Sequence, residues 1–546
     1  MTSRVYDVLA KVFLNEGVDT CFALLGDANM NWATRMADGG CRFIYVRHEH
    51  CAVAAAMAYA RKSGKVGVAT TTCGPGLTQV VTALPAAVRA KLPVVIFAGE
   101  APLGKPWYNQ GIDQGPIITA TGAAYHALHD IARMPTQVRD AFAQAQSEKR
   151  PVVIGVPFDL QDKFWEGPDA LPSPSSAMMP QVGAMPPHPD DIAAAATRIS
   201  AAKRIVIVAG LGAVQAVREA QSLAAKIDAL LATSLPARGL FCDDPFSIGV
   251  AGGFSSDIAR DLLGHADVVI AVGCSLAQHN TDGGKLFGQA HVIQIDTNPI
   301  VQSQGRVATN SHIRADAALG LAALYAALPE RDADWRTDAL AQQIANTPAD
   351  ASPRHPEPGV HDPRDVVAAL DSALPKDWEM VNSSGHCSYY FAQMPSRPFE
   401  RFLTIREFGA IGNGIAFSMG VAAARPDSTV VLFDGDGSVL MHIQEIETML
   451  RHELNIVICV LNDGAYGSEI HKLRAEGLSD AGAVFGRTDL ASIARGFGAD
   501  GHRIDDLAQL AQLVKNISGV SIWDFPISDK VASPVMQRAH PPKGPH

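Results

Sequence analysis

Short, unbroken apolar runs recur along the chain, each followed by a stretch rich in Ala and Leu. In the first third they read FIYV (43–46), VGVATTT (66–72), PVVIFAG (93–99) and PVVIGVP (151–157). In the middle they read RIVIVAG (204–210), VVIAVG (268–273) and HVIQID (291–296), and later TVVLFDG (429–435) and NIVICVLND (455–463). Runs without polar alternation suit strands covered on both faces, and the intervening stretches suit the covering helices. The pattern predicts an α/β protein built from parallel sheets flanked by helices. The opening segment MTSRVYDVLAKVFLNEGV predicts an amphipathic helix.

Two stretches break the rhythm. Residues 168–191 and 348–363 are rich in Pro and carry no apolar period, which predicts linkers. They divide the chain into three expected domains, 1–167, 192–347 and 364–530. No tight internal repeat is visible, yet the first and third blocks share a habit of ending strands in Gly-rich or acidic turns that open helices. In open parallel sheets ligands bind beyond the carboxyl ends of the strands, so those turns are where chemistry is sought.

Composition narrows the partners. A formal charge of -11, with no basic run, excludes nucleic acid and anionic membrane as main partners and favours a small-molecule substrate. No apolar span reaches 18 residues and the N-terminus has no apolar signal core, so a cytoplasmic protein is expected. The eight cysteines are scattered, without metal-like spacing, and are expected to be buried thiols.

The third block holds the first candidate site. A strand (428–434), a turn Gly435-Asp436-Gly437-Ser438, a helix expected over 439–454 and a strand ending in Asn462-Asp463-Gly464 make one βαβ unit. Its right-handed crossover puts both carboxyl ends on one edge, where Asp436 and Asp463 can share a cation if the strands are neighbours. Mg2+ takes oxygen ligands and keeps room for phosphate oxygens. The glycines allow close approach, and Ser438 with the helix N-terminus offers donors to an anion. A tight turn capped by Asp and Ser explains the same residues without a ligand.

The first block holds the second. The strand CRFIYV runs into Arg47-His48-Glu49-His50 and then a helix, so Glu49 stands at a strand's carboxyl end and a helix start. An acidic first-turn residue is also ordinary helix chemistry.

Together these segments resemble the thiamine-diphosphate-dependent enzymes, acetolactate synthases and 2-oxo acid decarboxylases among them. In that family GDG is followed by about 25 residues and a double Asn, and an RHEQ segment precedes an Ala-rich helix. The resemblance implies the family's thiamine-diphosphate-binding fold in the first and third domains and a Rossmann-like middle domain. It implies thiamine diphosphate and Mg2+, with metal ligation by Asp436, the side chain of Asp463 and the backbone carbonyl of Ala465. Asp463 departs from the commoner Asn. Glu49 is implied as the acid that hydrogen-bonds the cofactor's aminopyrimidine, Ile411 as the apolar support between its rings, and the Gly409 carbonyl as an acceptor. Ser384, Gly385 and His386, with Gly435, Gly437 and Ser438, are implied around the diphosphate. The Thr72-Cys73-Gly74-Pro75-Gly76 turn and the segments PVVIFAGEAP, VVIAVGCSL and HVIQIDTNP extend the likeness over nearly the whole chain.

The same resemblance implies at least a homodimer, or a homotetramer, because the first block of one subunit meets the third block of another. It implies action on a 2-oxo acid or aldehyde: decarboxylation plus carboligation, as in acetolactate synthase, with simple decarboxylation to an aldehyde as the alternative. Asp27 and Glu469 resemble the acids of pyruvate-decarboxylase-like members, whereas Gln110 in NQGID resembles the acetolactate-synthase FQExD segment. FAD is not expected, since CSLAQHN (274–280) stands where flavin-binding relatives carry an RFDDR-like segment.

Rival readings remain. LFDGDGSVL also looks like a haloacid-dehalogenase phosphatase turn, with Asp434 as nucleophile. Gly210 and Gly212 could begin a nicotinamide fingerprint, although its third Gly is missing, and helix–strand packing explains them better. A non-catalytic homologue would not need both Glu49 and Asp436.

Overall fold

The computed structural model describes residues 3–394 and 397–542. It contains three six-stranded parallel sheets and one small ribbon. The first sheet uses β1 (Thr20–Ala23), β2 (Arg42–Tyr45), β3 (Gly67–Thr71), β4 (Val94–Glu100), β5 (Ala124–Ala127) and β6 (Pro151–Pro157). The middle sheet uses β7 (Ile205–Ala209), β8 (Ala229–Thr233), β9 (Ser247–Val250), β10 (Val268–Val272) and β11 (His291–Asp296). A ribbon of β12 (Gln302–Ser303) and β13 (Arg306–Val307) precedes that sheet's last strand, β14 (Ser311–Arg314). The third sheet uses β15 (Glu379–Asn382), β16 (Phe402–Thr404), β17 (Val430–Gly435), β18 (Ile456–Asn462), β19 (Asp500–Arg503) and β20 (Val520–Pro526). The apolar runs are strands as expected, and those of β3, β6, β7, β10 and β18 are buried along their whole length.

The first sheet is ordered β2-β1-β3-β4-β6-β5 and the third β16-β15-β17-β18-β20-β19. Counted within each domain, the two orders are identical. The shared strand-and-turn habit in the sequence is therefore a shared topology. The middle sheet differs, running β14-β11-β10-β7-β8-β9. Its switch point, between β7 and β10, is where a dinucleotide would lie. There Gly212 N donates to the Gly273 carbonyl at 3.0 Å, and a Cβ on Gly210 would stand 2.2 Å from that carbonyl. The two turns pack backbone on backbone, which is why Gly210 and Gly212 are glycines.

The helices after β2 and β16 occupy equivalent places in the two domains. They are Glu49–Ser63 and Asn413–Ala424, and they pack against each other. Both are buried nearly all round and composed largely of Ala, Gly and other small residues, so their backbones approach closely. A Cβ on Gly420 would lie 2.1 Å from the Ala55 carbonyl. One apolar core continues through the contact, from Ala69 and Ile96 of the first sheet to Leu432 and Ile458 of the third. At the far end of this contact Lys62 reaches Glu379 at 2.7 Å, and Arg401 meets the same buried carboxylate at 3.0 Å.

The helix expected over 439–454 is broken. It forms as Asp436–Val439 and Glu445–Arg451 with a turn between. In that turn the Met441 sulfur would stand 3.0 Å from a Cβ on Gly412, and His442 is buried against His50, with ring centroids 5.2 Å apart. Contacts with neighbouring elements override helix propensity here. Among the described residues no helix is long and apolar enough to cross a membrane.

Candidate active site

β17 and β18 are paired neighbours in register, Gly435 opposite Leu461, so the residues just beyond them meet on one edge. Asp436 is 1% exposed, and Asp463 is partly exposed. Gly464 N donates to Asp436 Oδ2 at 3.0 Å, and Ala465 N donates to Asp463 Oδ1 at 3.1 Å. Asp436 Oδ1 is buried with no hydrogen-bond partner. Burial pushes both carboxyls above the ordinary range, and at Asp436 the charge of Asp463 adds to the rise. Two facing carboxylates with an orphaned oxygen are the chemistry of a divalent-cation site.

One cleft gathers most of the residues singled out in the third domain. Ser384, Gly385, His386, Ile411, Gly435, Asp436, Gly437, Ser438, Asp463, Ala465 and Glu469 all line it. The Ser384 hydroxyl is a second buried polar atom without a partner. Gly437 lies under the Tyr466 ring, where a Cβ would come within 2.8 Å. The orphaned oxygens and the glycine-lined walls fit a metal-bridged diphosphate. Glu469 lies in the first turn of the helix Gly467–Ala475, exposed and 3.3 Å from Lys472. Gly409 is left-handed, at φ 78, in the loop before Ile411 and is not part of the cleft wall.

Two expectations change. The Ser438 hydroxyl donates to Asp434 Oδ2 at 2.8 Å and accepts from Gly412 N at 2.8 Å, so it fastens the turn and has no proton left for an anion. Asp434, the nucleophile of the phosphatase reading, is fully buried and accepts from Ser438 and, at 3.0 Å, from Gly435 N. Burial raises it to about 7. It is a structural brace with no route to a substrate.

The first-domain residues assemble on their own sheet's equivalent edge. Glu49 is the first residue of its helix, capped by His48, whose Nδ1 accepts from His50 N at 3.1 Å. Its Oε1 lies 3.4 Å from where a Cβ on Gly76 would stand, so the Thr72–Gly76 turn lies beside it. Cys73 Sγ contacts Gln110 Oε1 at 3.4 Å. Asp27 is exposed near Cys73 and Tyr108, whose titration it perturbs, and next to it Gly26 packs on Thr72. Glu49, Asp27 and Gln110 thus surround one turn, and none of them lines the third-domain cleft.

Sequence reasoning missed Gln114, Asn413 and His442. Gln114 is buried, accepts from Gly74 N at 2.9 Å and donates to the Gly99 carbonyl at 3.0 Å, which fixes the turn beside Glu49. Asn413 Oδ1 lies 2.6 Å from His50 Nε2. His50 therefore faces the third domain, and burial pushes its pKa down. His442 is pushed down to about 4 by burial and by the neighbouring His50 and His48. Only the position of Asn413 at a helix start, after the left-handed Gly412, left a signal in the sequence. A larger cavity of about 320 Å³, lined by Asp350, Arg364, Val367, Tyr390 and Val535 among others, contains none of the candidate residues.

Comparison with known proteins agrees with this geometry. Residues 3–116 match the thiamine pyrophosphate enzyme N-terminal TPP binding domain, 192–324 the central domain and 383–521 the C-terminal TPP binding domain. The chain is 29% identical to an acetolactate synthase large subunit of Parasynechococcus marenigrum, over 90% of this chain and 81% of that protein. It is 29% identical to the acetolactate synthase isozyme 2 large subunit of Escherichia coli, over 83% and 81%. A probable 2-ketoarginine decarboxylase of Pseudomonas aeruginosa is 28% identical, over 92% and 89%. The chain belongs to the thiamine-diphosphate-dependent enzyme family, and thiamine diphosphate with Mg2+ is its cofactor pair.

Proposed function

We propose that this enzyme decarboxylates a 2-oxo acid and joins the remaining fragment to a second carbonyl compound, as acetolactate synthases do. The observation that carries the reading is the pair of matching sheet edges. One presents two facing carboxylates in a cleft, and the other presents an acid at a helix start beside a glycine turn. When bound, thiamine diphosphate would supply a carbanion for the substrate carbonyl and an electron sink for the loss of CO2.

The chain's residues do the rest. Asp436, Asp463 and the Ala465 carbonyl would hold the metal, and Ser384, Gly385, His386 and Gly437 with the backbone of Ser438 would surround the diphosphate. Gly409 and Ile411 would orient the rings, and Glu49 would hold a proton at the aminopyrimidine. Asp27, Gln110 and Glu469 stand where substrate oxygens need protons or donors.

A second copy of the chain completes each site, bringing its Glu49 edge to this chain's metal edge. Exposed apolar groups on both edges support this. Leu103, Trp107 and Ile112 flank the first, and Phe408, Met441 and Phe485 flank the second. Incubation with pyruvate, Mg2+ and thiamine diphosphate tests the reaction, with 2-acetolactate as the expected product. Acetaldehyde and CO2 alone, with no ligated product from any added acceptor, would overturn the carboligase reading.

A further inference from the structure

The loop that leads to Ile411 contains a cation unlike the others withdrawn from solvent. Lys62 meets Glu379 at 2.7 Å, Arg364 meets Asp350 at 3.2 Å, and Arg397 meets Asp371 at 2.5 Å. Arg238 is tied to backbone carbonyls of Phe391 and Met394. Among the described residues Arg406 forms no ion pair. Its guanidinium donates to the Ser388 hydroxyl and lies between two rings, 4.6 Å from the Phe254 centroid and 5.7 Å from that of Tyr389. The neighbouring Glu407 turns away, its Oε2 accepting from the Arg406 backbone N at 2.8 Å.

The surroundings come from two domains. Phe254 follows β9, and its ring lies 6.5 Å from that of His279, which follows β10. Ser388 and Tyr389 belong to the short helix after His386, and the Tyr389 ring is 5.7 Å from the His386 ring in the cofactor cleft. Phe254 and Tyr389 stack at 4.9 Å and fix the orientation of the guanidinium. Burial presses Arg406 toward the neutral form, and its charge helps burial keep His279 neutral. Ring faces and the Ser388 and Tyr389 hydroxyls orient the guanidinium, and the Glu407 charge is felt without an ion pair, so a planar carboxylate is the complement its donors lack.

We propose that Arg406 is a specificity residue that binds a substrate carboxylate other than the one lost as CO2. The proposal rests on the 2-oxo acid reading above. That carboxylate belongs either to a second 2-oxo acid used as acceptor or to the far end of the donor. Arg406 then makes the enzyme prefer an anionic partner over its neutral analogue.

Two matched pairs separate the sources. With pyruvate as donor, the acceptor is pyruvate or acetaldehyde; as donor, 2-oxoglutarate is compared with 2-oxopentanoate. In R406M the kcat/KM for the carboxylate-bearing member of the relevant pair falls roughly 10- to 100-fold, the loss expected for a charge-assisted hydrogen bond. The neutral member changes less than about twofold, and R406K recovers part of the loss. Thiamine diphosphate affinity, read from tryptophan fluorescence, stays at the wild-type value. Equal losses on both members of each pair, or a weakened cofactor, would overturn the proposal. If wild type turns over none of these acids, the reading of the reaction fails. Calorimetric binding of pyruvate and of 2-oxoglutarate to the loaded protein then decides Arg406 alone: R406M abolishes binding of at least one, and unchanged binding of both sinks the proposal.

Discussion

The first and third domains share one strand order and differ in where each keeps its chemistry. In the first, the helix after β2 begins with Glu49, and the turn after β3, Thr72–Gly76, is a glycine bend with no acid. In the third, the equivalent helix begins with Asn413, and the equivalent turn after β17 bears Asp436. Both acids open a helix, and what differs is the strand they follow: Glu49 comes after the second strand of its domain and Asp436 after the third. A carboxylate at a helix start is pointed by a capped, rigid element, which suits a proton held at one atom. After β17 the acid also meets Asp463 at the end of the paired strand β18, which suits a shared metal. The same scaffold supplies both because strands and helices terminate on one edge.

The sharpest way to break the comparison is to neutralise the helix acid alone. Glu49→Gln keeps the shape and removes the proton, and kcat should fall by about 10²- to 10⁴-fold, the range for loss of a positioned acid or base. Metal and thiamine diphosphate should still bind, because the Asp436 cleft holds the metal and diphosphate and the variant gives up only one hydrogen bond at the aminopyrimidine. Steady-state kinetics with cofactor titration checks both halves. Loss of cofactor binding equal to loss of rate would show that Glu49 acts by holding the cofactor and not by holding a proton.

The second test concerns the contact that joins the domains. Gly420→Ala places a Cβ 2.1 Å from the Ala55 carbonyl, a backbone atom that cannot swing away. A gain in helix propensity of about 1 kcal/mol opposes the clash. Overpacking of this kind costs about 1–3 kcal/mol, so urea denaturation should show a net loss. A stabilised variant would mean that the helices are not held this closely.

Much of this arrangement was legible in the sequence. Unbroken apolar runs identified strands such as β3, β7 and β18 because burial on both faces demands them. The GDGS turn and Asp463 were legible because metal chemistry restricts residue types. The common topology was legible only through the family resemblance, since it lies in the order of strands and leaves no repeated residues. Nor was the break at residues 440–444, where His442 stacks on His50 from the other domain, because that contact spans some 390 positions. Gln114 was equally hidden, being an ordinary polar residue until the fold buries it against Gly74.

The smallest expected effect sharpens the metal edge itself. Asp436 and Asp463 have folded pKa values above their unfolded ones, so the metal-free folded state binds more protons than the unfolded state. Their contribution favours folding while they stay protonated and is lost as the pH rises. The buried histidines His50, His386, His442, His452 and His471 act oppositely, but above about pH 7.5, a unit beyond the free imidazole value, they are nearly neutral in both states and drop out. From there upward, metal-free wild type should lose thermal stability as the pH rises, and Mg2+ with thiamine diphosphate should restore it. Asp463→Asn removes the repulsion at Asp436 and leaves one carboxylate to hold the cation. Its metal-free form should therefore lose less stability over the same range, while its Mg2+ affinity falls severalfold. Thermal melts at pH 7.5 and 8.5, with and without Mg2+, read both effects. Parallel melting curves for the variant and wild type at both pH values would mean that the two carboxylates do not face each other across one cation site.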